Sequence, residues 1–190
     1  MILVSACLLG HKVKYNGGSN DDALLQACSA RGRFVAVCPE CFAMLPVPRP
    51  PMEIQYGTGR KLLEGRARAV DATGCDLTSS LLLGAQKILR IAEAYHAEVA
   101  ILKDGSPSCG VHRIYDGSFS GRKIRGAGAA TELLRQHGLT VYSESDMTEA
   151  RLQQLIEEAT HGIENHLYKD SAVDKIEKRI DEAKVALEKD

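Results

Sequence analysis

The sequence contains no tryptophan and few other aromatic residues, with three phenylalanines and six tyrosines among 190 residues. It lacks any apolar run near the roughly 20 residues that span a bilayer, and its first residues have no basic start or long apolar core of a signal peptide. Positive and negative charges nearly balance, because the chain has 24 Lys and Arg residues and 25 Asp and Glu residues. This balance removes any global attraction to nucleic acid or anionic membrane. We therefore expect a cytoplasmic protein without a membrane partner.

The composition is that of an ordinary globular chain, with 44% hydrophobic and 26% charged residues. A chain of this length buries a core without help from disulfides or metals. Cytoplasmic thiols are kept reduced. The six cysteines are therefore expected to be buried apolar residues, nucleophiles or metal ligands, and a metal is expected to serve chemistry rather than folding.

Short apolar runs alternate along the chain with segments that carry helix signals. Helices are predicted after a cap at Asn20 or Asp21, from Asp76 or Thr78 to about Tyr95, and after Gly128. Four runs are predicted as buried strands: residues 2–4, 34–37, 99–102 and 139–142. This alternation predicts an α/β fold, a parallel sheet flanked by helices and Rossmann-like in its order.

Three cysteines, Cys7, Cys38 and Cys109, each follow one of the predicted strands or the loop just beyond it. Ligands of parallel α/β sheets bind where loops leave the carboxyl ends of the strands. A shared sheet edge would bring the three thiols together although they are far apart in sequence. We therefore predict one site built from three loops.

Thiolates are the usual protein ligands of iron–sulfur clusters. Three protein ligands would leave one iron open to substrate, as a catalytic zinc keeps one open position. Zinc is the main competitor for such a site. Cys41 forms a Cys-x-x-Cys pattern with Cys38, which is typical of zinc sites or redox pairs.

Four motifs together resemble the thiouracil desulfidase family over roughly residues 1–145. In family order they are SACLLG at 5–10, YNGG at 15–18, CPE at 38–40 with LPVPRPP at 45–51, and SPSCG at 106–110. The resemblance implies a [4Fe–4S] cluster bound by Cys7, Cys38 and Cys109. It also implies removal of sulfur from a thiolated nucleobase as hydrogen sulfide, leaving a carbonyl.

Four further side chains are candidate catalytic groups beside this cluster. Glu40 follows Cys38 by two residues and is predicted to act as general base or proton shuttle. Ser106 and Ser108 are predicted to donate hydrogen bonds to cluster or substrate, and Lys103 to balance charge. Arg49 is expected to pin the proline-rich loop or to contact substrate.

One stretch departs from the family pattern, because a Gly-Gly pair usual before Leu-Pro is replaced here by residues 41–44. Bulkier side chains there are expected to narrow the pocket. Two alternatives stay open at this point: a zinc protein that uses Cys7, Cys38, Cys41 and Cys109, and a cluster-carrying redox sensor without substrate turnover.

Residues 146–190 are predicted to form a helical extension, with one helix capped by Asp146 and another capped by Ser171. Packing on the domain and self-association as a homodimer are both consistent with their apolar stripes. The predicted substrate is a small thiolated base or nucleoside. Thiolated RNA has weaker support, from the basic run at Arg122, Lys123 and Arg125.

Overall fold

A computed structural model describes residues 1–31 and 33–169, with eight strands and six helices within them. The strands are β1 (Ile2–Ser5), β2 (Phe34–Val37), β3 (Met52–Gln55), β4 (Arg68–Asp71), β5 (Val99–Leu102), β6 (Arg113–Tyr115), β7 (Lys123–Arg125) and β8 (Thr140–Ser143). The helices are α1 (Ala23–Ser29), α2 (Pro39–Phe42), α3 (Gly59–Leu63), α4 (Thr78–Ala94), α5 (Ala129–Gln136) and α6 (Glu149–Lys169).

The central sheet has the order β2-β1-β5-β8, and all of its strands are parallel. These are the four strands expected from the apolar runs, and the predicted α/β fold is confirmed. Alternate residues of β1 face opposite layers, since Leu3 packs with α4 while Ile2 and Val4 pack with α1 and α6. Both faces are thus covered by helices, as parallel sheets require.

Two small antiparallel sheets, β3–β4 and β6–β7, lie outside the central sheet. The sequence of residues 61–70 predicts a small hairpin or an irregular connection. It contains the end of α3 and the start of β4, and the strand paired with β4 is β3. The sequence analysis did not predict β3, because its short alternation of apolar and polar residues directly follows a run of prolines.

The helix caps differ from prediction at three places. The N-cap residue of α4 is Leu77, between the predicted Asp76 and Thr78, and the Asp76 carboxylate accepts the Thr78 N–H at 2.8 Å. The carboxylate of Asp22, rather than Asn20 or Asp21, accepts the Leu25 N–H at 3.0 Å at the start of α1. Thr148, rather than Asp146, precedes α6, and its hydroxyl accepts the Arg151 N–H at 3.2 Å. The expected cap failed because Asp146 turns back and accepts hydrogen bonds from Ser143.

The first half of α6 is part of the core, because Leu152, Leu155 and Ile156 are buried against β1 and β5. No helix within residues 1–31 and 33–169 is long and apolar enough to cross a membrane. The helix predicted from Ser171, and the self-association assigned to it, lie outside the described residues.

Candidate active site

A cavity of about 570 Å³ opens at the carboxyl ends of β1, β2 and β5, and Cys7, Cys38 and Cys109 all line it. Cys7 lies in the 3-10 turn that follows β1, and Cys38 directly follows β2. Cys109 lies in the loop after β5. The three strands are neighbours in the sheet, so the topology brings together thiols that are up to about a hundred positions apart.

The loop that carries Cys109 is fixed by the start of α5. The N–H groups of Gly128, Ala129 and Ala130 donate to the carbonyls of Gly110, Pro107 and Ser108 at 2.8–2.9 Å. These are N–H groups that a helix cannot satisfy internally. A Cβ at Gly128 would lie 2.5 Å from the Ser108 carbonyl carbon, so only glycine permits this close approach.

Cys38 is held by the position of the short helix α2, of which it is the N-cap residue. The following residue, Pro39, packs against α4 at Gly84, where a Cβ would lie 2.3 Å from the Pro39 carbonyl oxygen. At the other end of α2, the Lys87 ammonium of α4 donates to the Phe42 carbonyl at 2.7 Å. The backbone of this cysteine therefore has little freedom.

Cys7 and Cys109 have polar neighbours that the sequence did not reveal. The Asn20 side chain is hydrogen-bonded to the Cys7 thiol. The Ser5 hydroxyl is hydrogen-bonded to Cys109 and accepts the Lys103 N–H at 3.0 Å. Ser5 stands at the end of a strand beside Cys7, which is a usable signal, whereas nothing local marks Asn20.

Burial dominates the electrostatics of the three thiols. It raises the pKa of Cys7, with the Asn20 hydrogen bond and the Lys103 ammonium acting in the opposite direction. It raises the pKa of Cys38 to about 12 and the pKa of Cys109 well above the ordinary value. All three are therefore neutral thiols near pH 7 before any metal is bound, and ligation must release their protons.

Glu40 lies beside the thiols in a fixed ion pair. Its Oε1 accepts the Ser108 hydroxyl at 2.8 Å, and its Oε2 accepts the Arg49 Nε–H at 2.8 Å. The Arg49 guanidinium also donates to the carbonyls of Pro46 and Val13, each at 3.0 Å. Arg49 thus ties the proline-rich loop to the carboxylate, and Ser108, which is fully buried, joins the Cys109 loop to the same group.

Ser106 and Lys103 line the cavity but are engaged in the loop itself. The Ser106 hydroxyl accepts the N–H groups of Ser108 and Cys109 at 3.1 and 3.2 Å. The Lys103 ammonium donates to the Asp104 carbonyl at 3.1 Å and pairs with Glu144. In these positions Ser106 shapes the turn, and Lys103 places a paired positive charge near Cys7.

Residues 41–44 do not narrow the cavity as expected, because none of them lines it. Met44 is 82% exposed and takes a left-handed backbone conformation with φ of 63°. This conformation is easy for glycine and costly for methionine. The departure therefore affects the backbone of this turn, and its side chains lie away from the pocket.

The donor set suits an iron–sulfur cluster better than one zinc ion. Tetrahedral zinc, with Zn–S bonds near 2.3 Å, needs its sulfurs within roughly 4 Å of one another. No three His, Cys, Asp or Glu side chains in the described part of the chain are grouped to hold one metal ion. A cluster binds each thiolate through a different iron, which fits thiols distributed around one cavity. The other three cysteines are absent from the lining, which leaves one iron position without a cysteine ligand.

The basic run is divided between the cavity and the surface. Lys123 lines the cavity mouth, with its ammonium 5.1 Å from the centre of the Tyr115 ring. Arg122 pairs with Asp116, and Arg125 is exposed on the β6–β7 hairpin. Tyr15 also lines the mouth and is 44% exposed.

Comparisons with known proteins agree with this geometry. The model of the 2-thiouracil desulfurase family matches residues 2–146. The uncharacterized protein YbbK of Bacillus subtilis (strain 168) is 42% identical over 149 residues, which are 78% of this chain and 99% of YbbK. A solved structure described as the [4Fe–4S]-dependent thiouracil desulfidase TudS matches with a TM-score of 0.70 and 42% identity, over 80% of this chain and 96% of its own.

Proposed function

Because the chain belongs to the 2-thiouracil desulfurase family, we propose that it is a [4Fe–4S]-dependent desulfidase that converts a thiouracil into the corresponding carbonyl compound and hydrogen sulfide. The observation that carries the proposal is the cavity lined by three thiols from three loops and by Glu40, whose carboxylate accepts a hydrogen bond from the buried Ser108. Cys7, Cys38 and Cys109 would hold the cluster.

When bound, the cluster supplies an open iron that polarises a thiocarbonyl as a Lewis acid. The remaining chemistry is proton transfer by the chain itself. Arg49 occupies Oε2 of Glu40, so Oε1 is the oxygen that takes a proton from the attacking water. Ser108 donates to that same oxygen and holds the carboxylate in place. The thiocarbonyl and water become carbonyl and hydrogen sulfide, so the reaction needs no external electrons.

The proposed substrate is a small thiolated base or nucleoside. Two partly exposed aromatic rings, Tyr15 and Phe119, line the cavity and suit stacking on a base. Contacts to phosphates along an RNA would make binding fall steeply with salt. A weak dependence of KM on salt concentration supports the small substrate, and a steep one supports RNA.

The proposed location is the cytoplasm. All six cysteines are free thiols, and thiols in this number persist in a reducing compartment.

The direct test is anaerobic cluster reconstitution followed by sulfide release from 2-thiouracil and 4-thiouracil. We expect release only from cluster-loaded protein, and a kcat lower by about 10²–10⁴-fold in Glu40→Gln, the range for a lost general acid–base group. Cys109→Ser should lose the cluster. Cys75→Ser is the matched control, since Cys75 is exposed and away from the cavity. Equal sulfide release from cluster-free protein would contradict the proposal.

A further inference from the structure

The Cys38-x-x-Cys41 pair has a geometry that the proposed reaction does not use. Cys38 is the N-cap residue of α2, and Cys41 is the third residue of the helix. Side chains at these two positions face each other, as in a capping box. Cys41 is also among the neighbours that shift the pKa of the Cys38 thiol, after the larger effect of burial. The two thiols are therefore neighbours at the start of α2.

The spacing of these two positions suits a disulfide. Residues three apart along a helix have Cα atoms about 5 Å apart, and disulfides join Cα atoms roughly 4.4–6.8 Å apart. Cys38 has an extended backbone, with φ of −138° and ψ of 106°, so its side chain is not restricted by a preceding helical turn. Both residues are free thiols in this structure.

We propose that Cys38 and Cys41 are a redox modification site, which forms an intramolecular disulfide in the cluster-free protein by exchange with a small disulfide of the glutathione class. One cysteine sulfur attacks the small disulfide, forms a mixed disulfide and releases one small thiol. The second cysteine sulfur then attacks the first and releases the other small thiol. Two electrons and two protons pass from the cysteines to the small disulfide, which leaves as two thiols.

The disulfide and the cluster exclude each other, because both need the Cys38 sulfur. Oxidised protein cannot offer that ligand, and a bound cluster protects it from exchange. The pair would also shield Cys38 from irreversible oxidation while the site waits for a cluster. The mutual exclusion of disulfide and cluster rests on the proposed function, whereas formation of the disulfide does not.

The experiment treats cluster-free protein with oxidised glutathione, alkylates the remaining thiols and maps the peptides by mass spectrometry. We expect a Cys38–Cys41 bridge that dithiothreitol reverses. Cys41→Ser should lack the bridge, whereas Cys75→Ser, which removes an exposed thiol elsewhere, should retain it. A persistent glutathione adduct on Cys38 or Cys41, a bridge to another cysteine, or two unmodified thiols at these positions would overturn the proposal.

A parallel sample measures iron and sulfide incorporation after the same treatment. We expect oxidised wild-type protein to take up no cluster until dithiothreitol is added. Untreated Cys41→Ser should take up as much cluster as untreated wild-type protein, because Cys41 is not one of the proposed ligands. Full uptake by bridged protein would overturn the claim that the two states exclude each other. If fully reduced wild-type protein takes up no cluster, the proposed function fails, and peptide mapping still decides on the disulfide.

Discussion

Replacement of Arg49 by methionine tests how the carboxylate of the site is held. The Arg49 side chain is 5% exposed and that of its partner Glu40 is 14% exposed. Removing one member of a buried ion pair costs about 3–5 kcal/mol, because the remaining charge is left buried without its partner. The carbonyls of Pro46 and Val13 lose their donors as well. We expect Arg49→Met to lower the free energy of unfolding by about 3–5 kcal/mol, a large share of the roughly 5–15 kcal/mol of a typical domain.

The assay is urea unfolding of the cluster-free protein, followed by far-UV circular dichroism because the chain has no tryptophan. Arg66→Met is the matched control, since Arg66 pairs with Glu64 at the surface, with side chains 64% and 41% exposed. Such a pair contributes at most about 1 kcal/mol. If Arg49→Met is too unstable to purify, Arg49→Lys keeps the charge and should lose less. Equal losses in Arg49→Met and Arg66→Met would refute the argument that Arg49 is a buried clamp.

Three further predictions concern the backbone and surface charge. Met44→Gly should stabilise the protein by roughly 0.4–1 kcal/mol, because glycine relieves the left-handed backbone, whereas Met44→Ala should give no such gain in thermal unfolding. Gly84→Ala should destabilise by about 1–3 kcal/mol through overpacking against Pro39, although alanine normally stabilises a helix; a higher melting temperature would contradict this. The Ser118 hydroxyl, followed by Arg122, lowers the pKa of Asp116 to about 2. The stabilising contribution is thus present above pH 3.8 and lost as pH falls towards 2, and an NMR titration should show a higher midpoint in Ser118→Ala.

The strands and the three cysteines could be predicted because their signals are local. The strands β1, β2 and β5 are apolar apart from Ser5, as a parallel sheet covered on both faces requires, and the edge strand β8 is more polar. Cys38 directly follows β2, Cys7 lies in the turn just after β1, and Cys109 follows β5 after a short loop. Loops that follow parallel strands meet at the carboxyl edge of the sheet. That rule predicts that the three cysteines lie together, although no distance can be read from the sequence.

The partners within the site could not be predicted, because they depend on paths of loops that no periodicity describes. The prolines of residues 45–51 mark a loop, but nothing in the sequence indicates what that loop contacts. Arg49 had two interpretations, and the structure shows the ion pair with Glu40. Met44 was expected to crowd the pocket, whereas its direction is set by a left-handed turn. The cap at Thr148 was missed because Asp146 finds a tertiary partner, His112, at 2.7 Å.

The described part of the protein satisfies its own polar groups without a cofactor. It has no buried side-chain nitrogen or oxygen without a hydrogen-bond partner, and helix α5 holds the Cys109 loop through backbone hydrogen bonds. The loops are thus preorganised by the fold, in contrast to small zinc domains that fold only on binding metal. We therefore expect the cysteine-bearing loops to keep their positions when no cluster is bound. Cys38 is then exposed to oxidants whenever the cluster is absent, which is the condition under which a neighbouring Cys41 matters.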